Sequence, residues 1–297
     1  MENNNRVRVH FNLFDAIIIL LVIAVLAGAM LLRSRGANGN AGPAQSLVPM
    51  RYTVELADAP YGMAELMELG SDVYCSTDNA YLGKLVDVEK RPHRETTYSP
   101  NREEYVVYET GETDDVYVTI EGSGYASTRE IVVGGKTVRV GESLAVKGLG
   151  YAHAGYISAV DPMSAALPED NTTGTGELEA VYTVRYTDMR DFVADAFQVG
   201  DHLYDSLTGA HLGVIEKVDV EPYVLTMLGK EGQPVRVEKT ERYAAVVTLR
   251  GRAVQKPDGY YLDGATELKV GATTISASRR VIRSLQFDAL ISIGEAR

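Results

Sequence analysis

Residues 52–92 of this chain occur twice. The second copy, residues 182–222, aligns with the first without a gap at an offset of 130, with 13 identities over 41 positions. The identities include Tyr52/Tyr182, Gly70/Gly200, Tyr74/Tyr204, Leu82/Leu212, Gly83/Gly213 and Pro92/Pro222. The match resumes where VTIEG (118–122) faces VTLRG (247–251), and where TVRVG ending at Gly141 faces ELKVG ending at Gly271. A tandem duplication requires one supersecondary unit to form twice, so any fold assigned to the first copy must serve the second.

Each copy reads the same way. Tyr-Thr-Val opens a strand through β-branched and aromatic content. Met189, Phe192, Val193, Ala196 and Phe197 then recur at helical spacing, as do Met63, Leu66, Met67 and Leu69, so one short helix is expected per unit. Gly70 and Gly200 would end it in the left-handed region. A hairpin follows, turning at Asp78-Asn79 and at Thr208-Gly209. After Pro92 and Pro222 comes a stretch rich in Glu, Thr and Arg that reads as a polar insertion. Alternating strands are expected at 116–120 and 244–252, glycine turns at Gly134-Gly135 and Asp263-Gly264, and closing strands at 155–160 and 287–293. The expected fold class is mainly β, with α+β units: two tandem, duplicated, barrel-like bodies, each with one short helix.

Ahead of the repeats, residues 16–32 form an unbroken apolar run of 17 residues. As a helix the run covers about 25 Å, and with its flanks it reaches the roughly 30 Å of a bilayer core. Residues 11–32 are therefore expected to be a transmembrane helix, with the lipid bilayer as a partner. Asn12 would cap it, and Asp15 would sit either at the interface on the positive end of the helix dipole or against a partner membrane helix. Arg6 and Arg8 precede the run and Arg33 and Arg35 follow it, so positive charge does not orient it. The short leading tail favours a cytoplasmic N-terminus and an extracytoplasmic body. Ala27-Gly28-Ala29 is the rival signal, an A-x-A cleavage site, but apolar residues continue past it to Leu32. The expected organisation is a tail (1–10), a span (11–32), a flexible linker (33–50), a first β-rich unit (51–160), a second linker (161–180) and a second unit (181–297).

Composition narrows function. The net charge is −12; the first 35 residues carry four Arg against Glu2 and Asp15, leaving the remainder about −14, which disfavours nucleic acid. Cys75 stands alone, so one chain can form neither an internal disulfide nor a thiolate cluster. No cofactor motif is present: the sequence has no phosphate-loop pattern, and Gly122-Ser123-Gly124 reads as turn glycine.

The entry NLFDAIIILLVIAVLAG, followed by two units carrying G-[DS]-x-[VL]-Y and LG-x-[LI]-x-x-V, resembles the bacterial domain of unknown function 4330 family, most recognisably at residues 12–15. The resemblance implies a single-pass, envelope-facing bacterial protein, occurring near exopolysaccharide or capsule genes. It brings no activity and no catalytic residues.

The residues themselves offer few sites. His202 and His211 would meet at the open end of the second hairpin, with Asp201 and Asp205 adjacent, a weak candidate for a divalent metal. The first unit has Asp72, Tyr81, Ser71 and Cys75 at those positions. His153 is a candidate general base or a sheet-edge residue; His93 reads as surface in a charged loop. Ser143, Ser158 and Ser206 lack a paired base. Tyr125, Tyr151, Tyr156, Tyr260 and Tyr261 would stack on sugar rings or pack across strands. The expected function is a non-enzymatic membrane-anchored accessory or scaffold protein of the envelope. It would bind another envelope protein or a surface polysaccharide, in the cleft between units, and free strand edges would also allow homo-oligomers. The alternatives are a glycan-acting enzyme using paired carboxylates and a small-ligand or metal sensor.

Overall fold

The computed structural model describes residues 46–162 and 167–295. The expected tail, transmembrane helix and Asp15 lie outside them. Among the described residues no helix is long and apolar enough to cross a membrane.

The duplication folds as two eight-stranded sheets. In the first, β1 (Ser46–Pro60), β2 (Asp72–Cys75), β3 (Tyr81–Ser99), β4 (Glu104–Ala126), β5 (Ile131–Val133), β6 (Lys136–Thr137), β7 (Ser143–Gly148) and β8 (Tyr151–Pro162) lie in the order β1-β8-β7-β2-β3-β4-β5-β6. Strand β1 also pairs with β4, so six strands form a closed circuit of pairings, with β5 and β6 appended. The second sheet repeats this with β9 (Leu178–Met189), β10 (His202–Asp205), β11 (His211–Leu228), β12 (Pro234–Lys256), β13 (Gly259–Leu262), β14 (Thr266–Glu267), β15 (Thr273–Ala277) and β16 (Ile282–Glu295), where β11–β12 closes the circuit.

Alternation explains the inner face. Along β1, Val48, Met50, Tyr52, Val54 and Leu56 are buried; along β9, Ala180, Tyr182, Val184 and Tyr186 are. Val116, Val118 and Ile120 answer from β4, and Ala245, Val247 and Leu249 from β12. Burying each large side chain contributes roughly 1.5–3 kcal/mol. Tyr52 and Tyr182, fully buried at matching positions, need acceptors and find matching ones: Tyr52 Oη donates to Leu82 O (2.9 Å) and Tyr182 Oη to Leu212 O (2.6 Å). Gly83 and Gly213, next in sequence, have φ of +140° and +147°. A Cβ there would lie 2.2 Å from Glu121 O and 2.5 Å from Arg250 O. Only glycine lets β3 and β11 cross their neighbours so closely. The predicted turns form, with Asn79, Gly134 and Gly135, and Gly209, Asp263 and Gly264, all at positive φ.

Four expectations need correction. The first unit has no α-helix: Ala64–Leu66 is a single 3-10 turn, ended by extended backbone at Met67. Only Met63 and Met67 of its apolar set face inward, leaving Leu66 and Leu69 outside. The second unit has α1 (Asp191–Asp195), with Met189, Val193 and Phe197 buried. The polar stretches after Pro92 and Pro222 are not insertions. Strands β3 and β4 run 19 and 23 residues through the first and form a two-stranded arm, with β11 and β12 forming its counterpart. A ribbon solvated on both faces needs no apolar alternation, and each proline sits at a bulge. Strand β1 begins at Ser46, inside the expected first linker. The second expected linker is partly occupied: β8 runs to Pro162, β9 begins at Leu178, and Thr175 donates to Asp263 from both its N–H and its hydroxyl (2.6 Å each).

The two units also touch each other. Val140 N–H donates to Arg280 O (2.7 Å) and Ile282 N–H donates to Val140 O (3.1 Å). Val160 packs against both cores. At the arm tips, Tyr98 Oη donates to Leu228 O (3.1 Å) and Gln233 Nε2 donates to Glu103 (2.8 Å).

Candidate functional site

The second hairpin brings His202 and His211 together. Strand β10 pairs with β11 so that Tyr204 faces His211, and the ring nitrogens His202 Nδ1 and His211 Nε2 lie 3.0 Å apart. Tyr204 packs on His211 from the other side, with centroids 5.2 Å apart. The chain before β9 supplies Asp170, whose Oδ2 accepts from Tyr204 Oη (2.5 Å) and whose Oδ1 lies 3.9 Å from His202 Nδ1. The Arg129 guanidinium of the first unit stacks over the Tyr204 ring at 4.1 Å. Sequence reasoning missed Asp170 and Arg129 because neither lies near the hairpin in the chain.

Burial, reinforced by His202 beside it, pushes His211 down to about 4, so it is neutral near pH 7. The hydrogen bond between the two rings needs one nitrogen as donor and the other as acceptor. Asp201 and Asp205 do not join the pair. Asp201 Oδ1 accepts from Arg280 Nε (3.3 Å), and burial raises its carboxyl despite Arg280. Asp205 Oδ1 accepts from the N–H groups of Leu207 (2.8 Å) and Thr208 (3.2 Å), and Oδ2 from the Thr266 hydroxyl (2.8 Å). Burial works to raise its carboxyl, but those hydrogen bonds outweigh it and hold the group below the usual range. Asp205 is therefore a turn cap. Among the described residues no group of three or more His, Cys, Asp or Glu side chains is arranged to hold a metal ion.

The other candidates are dispersed. His153 Nδ1 lies 2.7 Å from its neighbour's carbonyl, Ala154 O, on β8. Ser158 Oγ donates to Thr53 O (3.3 Å). Cys75 is buried. Tyr125 and Tyr156 are exposed, Tyr151 is buried, and Tyr261 Oη donates to Asp258 (2.8 Å). His93 is not in a loop: it lies on β3, half-buried, with Nδ1 2.7 Å from Asp115 Oδ1.

That His93–Asp115 pair borders a cleft of about 330 Å³ between the units, lined by Arg91, Arg94, Tyr117, Arg190 and Arg242. Behind it Glu55 is almost completely buried on β1. Its Oε1 accepts from Tyr117 Oη (2.9 Å) and pairs with Arg190, which precedes α1 in the other unit. Burial raises the Glu55 carboxyl, against Arg190 and Tyr117, which favour its charged form. The exposed arginines have partners: Arg94 Nη1 reaches Glu241 (3.3 Å) and Arg242 Nε reaches Asp188 (3.7 Å). The repeat alignment carried the signal for this cleft. Counterparts of Glu55, Arg91, Arg94 and Arg190 are Arg185, Glu221, Val224 and Pro60, so two of the four positions reverse their charge between the copies and two lose it.

The family described as Domain of unknown function (DUF4330) matches residues 2–161, more than half of the chain. The chain belongs to this family. The DUF4330 match ends one residue before β8 does, so it covers the first unit and what precedes it; the second unit lies beyond the match and repeats the first. No curated protein and no solved structure matches the chain.

Proposed function

We propose that this DUF4330 chain is a membrane-anchored, non-enzymatic accessory protein of the bacterial cell envelope. Its two units, each a small barrel-like body, hold an envelope protein or a surface polymer between them. The observation that carries this reading is the cleft between the units. Its arginines and Tyr117 suit a partner bearing acidic groups and hydroxyls, since guanidinium groups exchange one carboxylate for another at small cost when exposed. The apolar run 16–32 supports the anchor. The pair of buried Glu55 with partly exposed Arg190 ties the two walls together, which favours a cleft of fixed width.

The test is capture from bacterial membranes by the tagged full chain, alongside an Arg94→Glu/Arg242→Glu variant and an Asp15→Leu variant. Envelope or polysaccharide-assembly proteins, or the polymer itself, should co-purify with the wild type and be lost from the cleft variant. Loss from Asp15→Leu alone would move the contact into the membrane. Identical capture by the wild type and the cleft variant would defeat the reading. A second reading, sensing of a small polar ligand, is favoured by the cavity of about 290 Å³ beside His202, Asp170 and Arg279. Ligands that raise the melting temperature of the wild type but not of His202→Ala would support it.

A further inference from the structure

The contact between the two units is head to tail, and each unit carries both halves of it. The first unit supplies Val140, only 6% exposed and packed in the second unit's core. It docks on the second unit through a parallel bridge to Val281 and the two backbone hydrogen bonds with Arg280 and Ile282. The offset of 130 holds on both sides of this contact. Gly141 N–H donates to Ile157 O as Gly271 N–H donates to Phe287 O, at 2.9 and 2.8 Å. Val270 is therefore the counterpart of Val140, Leu290 that of Val160, and Gly150 and Ala152 those of Arg280 and Ile282. The second unit bears an unused copy of the donor face, and the first unit an unused copy of the acceptor face.

Both unused faces are apolar and open. Val270 is 60% exposed and Leu290 39%. On the acceptor side Leu149 is 84% exposed and Leu66 53%. Leu66 lies beside the turn that carries Leu149, since a Cβ built on the adjoining Gly150 would lie 3.9 Å from Leu66 Cβ. Within the chain, the positions matching Leu149 and Gly150 are Arg279 and Arg280, and both are engaged. Arg279 Nη1 donates to Pro168 O (2.6 Å), and Arg280 reaches Asp201. Leu and Gly in their place leave the free acceptor edge more apolar than the used one. Lys269 beside Val270 and Glu68 beside Leu69 are both exposed and opposite in charge. Single exposed leucines need no explanation; apolar residues at both halves of an interface already built inside the chain do.

We propose that a second copy of this chain occupies these faces. Val270 and Leu290 of one chain pack on Leu66, Leu149 and Gly150 of the next, repeating between chains the contact that Val140 and Val160 make within one. Such an interface is heterologous, so copies add in one direction and form a row or a ring rather than a two-fold pair. Confinement to a membrane would raise the local concentration that a contact of this size needs. The inference does not depend on what the cleft binds.

Disulfide trapping tests it, because Cys75 is buried and the two faces accept exposed cysteines. Full-length Val270→Cys and a differently tagged full-length Leu149→Cys are mixed in membranes and oxidised. The expected result is a mixed dimer at least ten-fold above the dimer from either variant alone, with a ladder of higher species from the double variant. Adding Leu290→Arg to Val270→Cys should abolish the mixed dimer. Equal dimer from Val270→Cys alone would show a two-fold contact and overturn the proposal, as would the absence of any mixed dimer.

Discussion

The hairpin ends of the two units share a backbone and differ in what they bury. In the first unit Tyr74 packs edge-on against Tyr81 with centroids 5.6 Å apart, and Asp72 accepts from Lys84 Nζ (2.9 Å) and Tyr81 Oη (3.4 Å), all in reach of solvent. In the second, the same three positions hold Tyr204, His211 and His202. They are covered by the chain carrying Asp170 and Thr175, and His211 is 1% exposed. A sheet closed by identical bonds thus carries an open salt bridge in one copy and an enclosed imidazole pair in the other. The closing bonds fix the scaffold, and the three side chains they hold in place are free to change. That separation makes the two units controls for each other.

The largest expected effect tests whether the closure is shared. Gly83→Ala and Gly213→Ala each drive a Cβ into a backbone carbonyl, at a φ that side chains rarely adopt. Each should cost at least about 3 kcal/mol, read by urea unfolding, because neither the strand nor its neighbour can yield without breaking the circuit. Similar losses at both sites would confirm one closure used twice. A large loss at one and none at the other would break the equivalence.

Next comes the pair where the units part. His211 sits at about 4 in the folded chain against 6.5 in the unfolded chain. Between those values the unfolded chain binds the extra proton, so stability is full above about pH 6.5 and falls as the pH drops toward 4. The loss should reach at most about 3 kcal/mol. His211→Tyr, which installs the first unit's residue, should flatten this part of the profile. An unchanged slope in that variant would mean that other groups set the acid limb. Arg190→Ala should follow, at about 2 kcal/mol, because it leaves Glu55 buried without its cation but still bonded to Tyr117. The partly exposed guanidinium keeps the figure below that of a fully enclosed pair.

How far such contrasts could be read in advance depended on the range of the interaction. The repeat, its glycine turns and the strands opening at Tyr52 and Tyr182 were legible because strand content and turn chemistry are local. The meeting of His202 with His211 was legible as well, being set by one hairpin. The arms were not: Pro92 and Pro222 resemble strand breakers, and the Arg-Glu-Thr-Thr-Tyr run after Pro92 has no dry face to betray it. Asp170 was read as linker, since only its distant acceptor role toward Tyr204 gives it a place. Glu55 and Arg190 stand 135 residues apart, and no local pattern marks a carboxylate that will be buried on a strand. Their mismatch with Arg185 and Pro60 across the repeat was the one sign available.

The smallest effect sharpens the comparison most. Tyr52 and Tyr182 occupy the same position, both are buried, and each donates to the carbonyl of the leucine before the closing glycine. Replacing either by Phe keeps the packing and removes one hydrogen bond, leaving Leu82 O or Leu212 O short of a donor. The expected cost is about 1 kcal/mol each, seen as a shift of the denaturation midpoint without a change of slope. The sites lie in separate cores, so the double variant should show the sum of the two losses. A double variant that lost much more than the sum would show that the two closures are coupled through the Val140 contact, and the units could no longer be treated as independent copies.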